Sequence, residues 1–362
     1  MTFINPPRRV LVIVTRRIGD VLLATPVVRS LKRAWPQSEI DALVFAGGAV
    51  ALDANPDVHQ VHVIAERPKL SQHIVFIGKI YRRYDLAVSL VPGDRPTFYA
   101  WAAGKRRVGL LLDTQKESWK RRFLHEWAPY DLNEKHTLLT HLAVLAPLQV
   151  PPSAELVTAW RDSDAEVARA AVAPLQGRPY VVLHLFPKFT YKMWHEAGWT
   201  ALARWVHSRG YAVVLTGGAD AEELAYVNNI ATRMTPAPLN LAGKLSFAQS
   251  ACVLAGARAY IGPDTAMTHA AAALDIPVVT FFGPTDPLKW APWPRHHPAA
   301  HTPWRRLGDQ AQGKLRVLQG RAACAPCNKE GCERRVTSPS DCLLALPAND
   351  VIHALNSLLE SA

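Results

Sequence analysis

The sequence contains no apolar segment long enough to cross a lipid bilayer. Membrane-spanning helices need roughly 18–20 consecutive apolar residues, and the longest candidates here are interrupted by charges such as Arg258 and Asp275. Near the N-terminus, the apolar run Val10–Val14 lies between two arginine pairs and is too short for the core of a signal peptide. This run is typical of a first β-strand, and we therefore expect a cytoplasmic protein.

Several common ligand-binding signatures are also absent. No G-x-G-x-x-G follows the first strand and no Walker A motif occurs, so the two commonest phosphate-binding loops are missing and a nicotinamide oxidoreductase is disfavoured. The interleaved aromatic and basic residues of RNA-binding modules are not seen, and we expect no nucleic-acid partner. No internal repeat of the solenoid type is present.

What is present is a globular composition with an uneven charge. The 362 residues, of which 49% are hydrophobic and 20% charged, suggest two domains of ordinary size. The net charge is +11, and residues 1–150 hold 21 Lys and Arg against 13 Asp and Glu. This asymmetry indicates that the first half meets an anionic partner, such as a phosphorylated acceptor or an anionic membrane face.

Short β-rich runs alternate with helical patterns along both halves, which predicts parallel sheets. We expect an α/β protein with two Rossmann-like domains that face each other across a cleft. A helix over Val21–Ala34 follows the first strand, and a proline-rich connection spans residues 150–178. The predicted strands are Val10–Val14, Ile40–Phe45, Val61–Ile64 and Leu86–Leu90 in the first half, and Val181–Leu185, Tyr211–Thr216, Ala259–Ile261 and Val278–Phe282 in the second.

The first candidate site is the turn between the first strand and the first helix. Gly19 permits a tight turn, and Asp20 falls near the start of the helix. Aspartate is a preferred helix cap, so Asp20 serves either as a cap or as a general base that takes a proton from an attacking hydroxyl.

The strand ends of the second half carry a group of polar residues. Because ligands of open α/β sheets bind at the carboxyl ends of strands, Asp264 and Thr265 predict a phosphate or nucleotide site at a helix N-terminus. His269 lies one turn further along that helix, and it is either a ligand contact or a buried core histidine. The other candidates are Thr190 and Lys192 for a phosphate. A carboxylate of the turn Gly217–Glu223 either accepts from ribose hydroxyls or belongs to an ordinary acidic helix start.

Four of the five cysteines lie close together near the C-terminus, at Cys324, Cys327, Cys332 and Cys342. Their spacing is similar to that of structural zinc or iron–thiolate sites. A cytosolic setting argues against structural disulfides, so the alternatives are a structural metal or free thiols. A metal with all four positions filled would hold the loop and take no part in catalysis.

Together these motifs resemble glycosyltransferase family 9, the lipopolysaccharide heptosyltransferases. The resemblance rests on Arg17-Ile-Gly-Asp20, Thr190-x-Lys192-x-Trp194, Asp264-Thr265 with His269, and Phe282-Gly-Pro-Thr-Asp-Pro287. It implies a GT-B fold, an ADP-heptose donor, a lipopolysaccharide inner-core acceptor, inversion at the anomeric carbon and no catalytic cofactor.

The resemblance also implies residue roles. Asp20 would be the catalytic base, Thr190 and Lys192 would contact the diphosphate, Asp264 and Thr265 the nucleotide, and Glu222 the ribose. Ala266 stands where many relatives have glycine, which changes how closely the backbone approaches the donor.

On this basis we expect an acceptor-binding domain over residues 1–174, a donor-binding domain over 175–345 with the cysteine loop 324–342, and a C-terminal helix over 346–362. The basic first half suggests acceptor contacts and a peripheral position at the anionic inner membrane face. The acceptor candidates are Arg16, Arg17, Lys105 and Arg106. Two other functions stay open at this point, a nucleotide-sugar epimerase of similar fold and a non-enzymatic binder of anions or nucleic acid.

Overall fold

The computed structural model describes residues 5–131 and 134–360. The chain forms two compact units, Met1–Ala159 with His296–Thr302, and Trp160–Arg295 with Pro303–Ala362. The outermost residues of the predicted domain ranges, 1–4 and 361–362, lie outside the described residues, as do 132–133. No helix in the described part of the chain is both long enough and apolar enough to span a membrane.

The first unit is a six-stranded parallel sheet with the strand order β3-β2-β1-β4-β5-β6. Its central strand β1 is a continuous apolar run buried on both faces, as expected for the middle of a parallel sheet. The strands are β1 (Arg9–Val14), β2 (Glu39–Phe45), β3 (Gln60–Ile64), β4 (Tyr84–Ser89), β5 (Gly104–Leu111) and β6 (Glu126–Pro129). The helices are α1 (Ile18–Leu22), α2 (Thr25–Ala34), α3 (Ala46–Ala49), α4 (Leu70–Ile80), α5 (Asp94–Ala103) and α6 (Thr137–Leu142), with 3₁₀ segments at Gln115–Phe123 and Ala143–Leu145.

The second unit is a seven-stranded sheet with the order β12-β13-β11-β10-β7-β8-β9, in which only β12 is antiparallel among the described pairings. Its first five strands, β7 to β11, have the same order as β1 to β5 of the first unit. Its strands are β7 (Tyr180–His184), β8 (Ala212–Thr216), β9 (Leu239–Asn240), β10 (Ala259–Pro263), β11 (Val278–Phe282), β12 (Gln310–Gln312) and β13 (Leu315–Gln319). Its helices are α7 (Asp162–Val172), α8 (Glu196–Ser208), α9 (Ala221–Ala231), α10 (Phe247–Ala255), α11 (Ala266–Ala273), α12 (Pro287–Trp290), α13 (Asp341–Leu344) and α14 (Ala348–Leu359), with 3₁₀ segments at Ala173–Leu175 and Thr190–Lys192.

The division between the units falls at Ala159, earlier than the predicted boundary at residue 174. The acidic helix α7 belongs to the second unit because it packs on α10, where Gln249 Nε2 donates to Asp164 Oδ1 at 3.3 Å. The C-terminal helix α14 is not separate either. It packs on α8, and the Leu346 carbonyl just before it accepts the indole N–H of Trp194 at 2.8 Å.

The predicted helix Val21–Ala34 is in fact two helices, α1 and α2, separated at Leu23 and Ala24. Pro26 has no N–H with which to bond the Leu22 carbonyl, so the regular ladder cannot continue through it. Instead, the Thr25 hydroxyl donates to the Leu22 carbonyl at 2.7 Å, and Pro26 stands at the start of the new helix.

Each sheet has one topological switch point, where the order of the strands reverses. In the first unit it lies between β1 and β4, and in the second between β7 and β10. Ligands of such sheets bind outside the carboxyl ends of the strands at this point. We therefore expect ligand-binding and catalytic residues in the loops that follow β1, β7 and β10.

Candidate active site

The loop after β1 carries Asp20 at the switch point of the first sheet. α1 begins at Ile18 with Arg17 as its N-cap, so Asp20 lies within the first helical turn and does not occupy the cap position. Its side chain is half-buried, whereas Arg16 and Arg17 are exposed. The loop thus places a carboxylate and two cations at the carboxyl edge of the first sheet.

Two residues that the sequence analysis missed approach the same loop from far along the chain. Burial raises the pKa of the Tyr130 phenol. The positive charge of Arg16 lowers this pKa and the negative charge of Asp20 raises it, so the phenol lies within electrostatic reach of both side chains. Burial also lowers the pKa of His141 to about 4, with Arg16 adding to the effect. Its Nδ1 lies 3.3 Å from the Leu23 carbonyl oxygen, so a neutral imidazole that donates from Nδ1 supports the turn.

Close packing against a glycine fixes where α1 lies. Gly48, on α3 after β2, faces Val21 and the carbonyl oxygen of Arg16. A Cβ at position 48 would lie 2.8 Å from Val21 Cγ2 and 3.3 Å from that oxygen. The glycine therefore allows α1, and with it Asp20, to sit directly against α3.

Two of the predicted acceptor residues lie at the other edge of the first sheet. Lys105 and Arg106 are at the start of β5, whereas Arg16 and Arg17 follow the end of β1. The five residues between Arg106 and the end of β5 span about 16 Å at the usual rise of a strand. The structure thus does not bring the four candidates together.

The charges of this second pair already have partners. Lys105 Nζ lies 3.0 Å from Asp85 and Arg106 lies 2.7 Å from Glu126. The sequence analysis interpreted them as a loose basic cluster because it did not predict β5.

In the second unit, the loops after β7 and β10 meet through one ion pair. Lys192 Nζ lies 2.5 Å from Asp264 Oδ2 and 3.4 Å from the Asp264 carbonyl oxygen. Asp264 is buried and Lys192 is half-buried, so the pair is largely shielded from water. The 3₁₀ segment Thr190–Lys192 places the half-buried Thr190 beside it. The structure thus joins three of the predicted donor residues at the second switch point.

The N-terminus of α11 completes this region. Thr265 is the N-cap residue and Ala266 the first helical residue, and both are half-buried. Inside the helix, burial lowers the pKa of His269 to about 4, Asp264 raises it and Lys192 lowers it, so the imidazole is neutral at pH 7. Within the described residues, the buried Nδ1 of His269 has no hydrogen-bond partner. Such an orphaned polar atom needs an explanation, and a ligand at this site would supply one.

The glycine turn after β8 is held by Glu223 and not by Glu222, the residue that the sequence analysis selected. The Gly218 N–H donates to Glu223 Oε1 at 2.6 Å, and burial raises the pKa of Glu223. Glu222, the predicted ribose contact, is exposed at the start of α9. Glu223 therefore braces the turn, while the Glu222 carboxylate faces solvent.

The loop after β11 contributes a further carboxylate, Asp286. It caps α12 by accepting from the Leu288 N–H at 3.0 Å, and it is ion-paired to Arg306 at 2.8 Å. The neighbouring Thr285 has a buried hydroxyl without a partner among the described residues. The sequence motif Phe282–Pro287 was enough to identify this turn as part of the site. The pairing with Arg306 could not be predicted, because Arg306 lies in a later loop.

The structure does not support the predicted metal site at the cysteine loop. Cys342 is buried, Cys324 and Cys332 are exposed, and Cys327 is half-buried. No group of three or more His, Cys, Asp or Glu residues is placed to hold a metal within 5–131 and 134–360. Burial, together with the charges of the other three cysteines, raises the pKa of the Cys342 thiol to about 11.

Two Rossmann-like units, one with a carboxylate and the other with a half-buried lysine and a helix N-terminus at its switch point, define a glycosyltransferase of the GT-B class. The family model described as "Glycosyltransferase family 9 (heptosyltransferase)" matches residues 84–304, more than half of the chain. The chain belongs to this family. Membership confirms the resemblance drawn from the motifs, and it decides against an epimerase or a non-enzymatic binder.

Relatives and solved structures agree with this assignment. The chain is 33% identical to lipopolysaccharide heptosyltransferase 3 of Escherichia coli, over 76% of this chain and 83% of the relative. It is 30% identical to lipopolysaccharide heptosyltransferase 1 of Pseudomonas aeruginosa, over 91% and 88%. The structure of E. coli ADP-heptose lipopolysaccharide heptosyltransferase II matches with a TM-score of 0.73, at 21% identity over 98% of this chain and 100% of that one. That likeness shows the fold.

Proposed function

We propose that this chain transfers a heptose from ADP-heptose to the inner core of lipopolysaccharide, with inversion at the anomeric carbon. Family membership and the names of the relatives support the donor and the acceptor. The observation that carries the proposal is the Lys192–Asp264 pair beside the N-terminus of α11, at the second switch point. The Lys192 ammonium and the helix N-terminus offer a departing diphosphate preorganised hydrogen-bond donors.

On the acceptor side, Asp20 acts as the general base. A sugar hydroxyl is a poor nucleophile at neutral pH, and a carboxylate that accepts its proton in the transition state contributes typically ~10²–10⁴-fold in rate. The exposed Arg16 and Arg17 attract the anionic core oligosaccharide to this loop. The charges of Arg16 and Asp20 both affect the pKa of Tyr130, and the Tyr130 phenol positions these two side chains.

On the donor side, Lys192 stabilises the charge that grows on the diphosphate as the glycosidic bond breaks. The ammonium group has three donors, so it can keep its bond to Asp264 and still donate to a phosphate oxygen. Asp264 holds the lysine in place. Because His269 is neutral at pH 7, its orphaned Nδ1 serves as a hydrogen-bond donor or acceptor to the donor substrate without adding charge.

The remaining donor contacts follow the predicted roles. Thr190 donates its hydroxyl to the diphosphate, and the free N–H groups at Thr265 and Ala266 point to the same anion. Glu222 accepts from the ribose hydroxyls, which its exposed carboxylate can reach without disturbing the turn that Glu223 holds. In this proposal the first unit binds the acceptor and the second binds the donor.

The proposed setting is the cytoplasm, at the periphery of the inner membrane, because the acceptor is lipid-anchored. The excess of Lys and Arg in residues 1–150 supports contact with the anionic membrane face. A structural zinc or iron at the four cysteines remains a proposal that rests on their spacing alone. Elemental analysis of the purified protein checks it, and a stoichiometric metal that survives dialysis is the supporting result.

The test is a screen of nucleotide sugars against truncated core acceptors, read by mass spectrometry. We expect the heptose mass to be added to the acceptor only with ADP-heptose, and a nuclear magnetic resonance spectrum of the product to show inverted configuration. A parallel reaction without acceptor should leave the donor sugar unchanged. Transfer from another nucleotide sugar, with none from ADP-heptose, would overturn the proposal.

A further inference from the structure

The outer surface of the first unit carries most of the exposed large hydrophobic side chains of the described chain. Eight of the twelve such residues lie between Val50 and Trp119, and the second unit holds only four. They are Val50, Val63, Leu70, Ile74, Val75, Tyr81, Phe98 and Trp119. Scattered apolar residues are normal on a protein surface, but a concentration on one unit indicates an interaction site.

Helix α4 is apolar on both of its sides. Phe76 and Ile80 are buried against the sheet, as the inner face of a covering helix should be. On the outer side, Leu70, Ile74 and Val75 are 76%, 63% and 59% exposed. Leu70 and Ile74 are four residues apart and lie on one stripe of the helix, so the exposed apolar residues form a continuous face.

This face continues across the neighbouring elements. α4 is tied to α5 by the hydrogen bond between Tyr99 and His73 Nδ1, at 2.9 Å. α5 joins the 3₁₀ segment Gln115–Phe123 through the edge-on contact of Trp101 with Phe123. Phe98 stacks on Trp101 within α5, and Trp119 packs edge-on against Phe123 within the segment. Phe98 and Trp119 stand exposed on this second part of the layer.

The charge around α4 is of one sign. Residues 67–83 contain five basic side chains and no acidic one, and within the described residues none of the five forms an ion pair. The five are exposed at both ends of the helix, at Arg67, Lys69, Lys79, Arg82 and Arg83. An apolar helical face between clusters of Lys and Arg is the pattern of a helix that lies in a membrane interface, and exposed tryptophan is enriched at that depth.

We propose that the outer face of α4, α5 and the segment Gln115–Phe123 is the surface on which the protein docks to an anionic lipid bilayer. The aliphatic side chains enter the headgroup region, and the five cations pair with lipid phosphates. α4 begins after the carboxyl end of β3, so Leu70 and Ile74 lie toward the sheet edge that also carries Asp20. The inference rests on the proposed function, in which the acceptor is anchored in such a bilayer.

The experiment measures co-sedimentation of the full chain with vesicles of phosphatidylglycerol and phosphatidylethanolamine, without lipopolysaccharide or donor. Replacing Leu70, Ile74 and Val75 together by Ser should weaken partition at least about tenfold. The matched control removes three exposed aliphatic side chains of the second unit: Val167→Ser, Leu307→Ser and Leu344→Ser. The control should bind as the wild type does.

A second variant pair tests the electrostatic part. Lys69→Gln, Lys79→Gln and Arg82→Gln together should lower binding to the anionic vesicles at least about tenfold, and binding to neutral phosphatidylcholine vesicles should be weak from the start. The control carries three exposed basic residues of the second unit changed in the same way: Lys244→Gln, Lys329→Gln and Arg334→Gln.

Two outcomes would overturn the docking surface. One is equal vesicle binding by all variants, and the other is a shift of oligomeric state in the serine variant, which would assign the face to a second copy of the chain. Transfer to a water-soluble truncated acceptor is measured in parallel and should be unchanged in every variant. Failure of that assay in the wild type would refute the proposed function and leave the vesicle result intact.

Discussion

The two units share the order of their first five strands and prepare their switch points in opposite ways. The first leaves Arg16 and Arg17 exposed around the half-buried Asp20. The second buries Asp264, pairs it with Lys192 and keeps His269 neutral. In the proposed function, the open loop of the first unit suits a large oligosaccharide that brings its own solvation, whereas the second unit provides a cradle for the diphosphate that is built before the ligand arrives. The difference shows that function is set by the site and not by the fold.

The largest expected effect is a loss of turnover without a loss of ADP affinity, which distinguishes the first switch point from the second. Asp20→Asn and Asp20→Ala should each lower kcat by about 10²–10⁴-fold, because the base is lost. ADP affinity, measured by calorimetry, should stay at the wild-type value, since the proposed donor residues belong to the second unit. Turnover near the wild-type rate in either variant would remove Asp20 from the mechanism.

The next effect concerns the buried pair of the second unit. Lys192→Ala should weaken ADP binding at least about tenfold, and it should destabilise the protein by about 3 kcal/mol because Asp264 is left buried without its partner. The double variant Lys192→Ala/Asp264→Asn should recover most of the stability and none of the ADP affinity. Thermal denaturation and calorimetry report the two quantities separately, and unchanged ADP binding in both variants contradicts the role.

Acid should lower the folding stability of both units, because each contains buried histidines. Burial lowers the pKa of His141 in the first unit, and of His184 and His269 in the second, to about 4. The unfolded chain takes up these protons near pH 6.5 and the folded chain only near pH 4, so stability is lost as the pH falls through this window.

Each site should cost about 2 kcal/mol between pH 7 and pH 5. His269→Gln should reduce the loss of stability of the second unit by the contribution of one histidine, about 2 kcal/mol. His141→Gln should reduce the loss of stability of the first unit by the same amount. Hydrogen exchange resolved by unit measures both. Equal pH dependence in the wild type and the variants would show that the imidazoles take up their protons at the same pH in the folded and the unfolded chain.

The smallest effect distinguishes the two pairs of basic residues within the first unit. Arg16→Gln/Arg17→Gln should raise the acceptor KM about fivefold by removing attraction for an anionic substrate. Lys105→Gln/Arg106→Gln should leave it unchanged, because those residues lie at the other edge of the sheet in ion pairs with Asp85 and Glu126. A larger effect from the second variant would restore Lys105 and Arg106 as acceptor residues.

The sequence was sufficient to predict the central strands of both sheets. Buried parallel strands such as β1 are uninterrupted apolar runs, and these are the clearest local signal in an α/β protein. Strand β5 was missed because it opens with Gly104-Lys-Arg-Arg107, which looks like a loop. Helix α5 was missed because it contains Pro96, which the structure places in the first turn, where no intrahelical N–H bond is lost.

The candidate site was predictable where it depends on local chain order. Asp20, Lys192 and Asp264 each follow a predicted strand, and strand ends of a parallel sheet share one edge. The contacts of Tyr130 with the charges of Arg16 and Asp20 could not be predicted, because they join residues far apart in the chain. For the cysteines, spacing alone predicts a metal site, and the different burial of the four thiols could not be predicted because it depends on tertiary packing.

The glycine at position 48 has a consequence for how this enzyme can change. A single added methyl group there must push against Val21 and a backbone oxygen, and the short helix α1 is the element that would yield. On the proposed role of Asp20, the reach of its carboxylate is thus adjustable by a residue that lies behind it, in the packing of α1 on α3. Selection or design that aims at a longer or shorter acceptor can therefore act from behind the site, with every reacting group left in place.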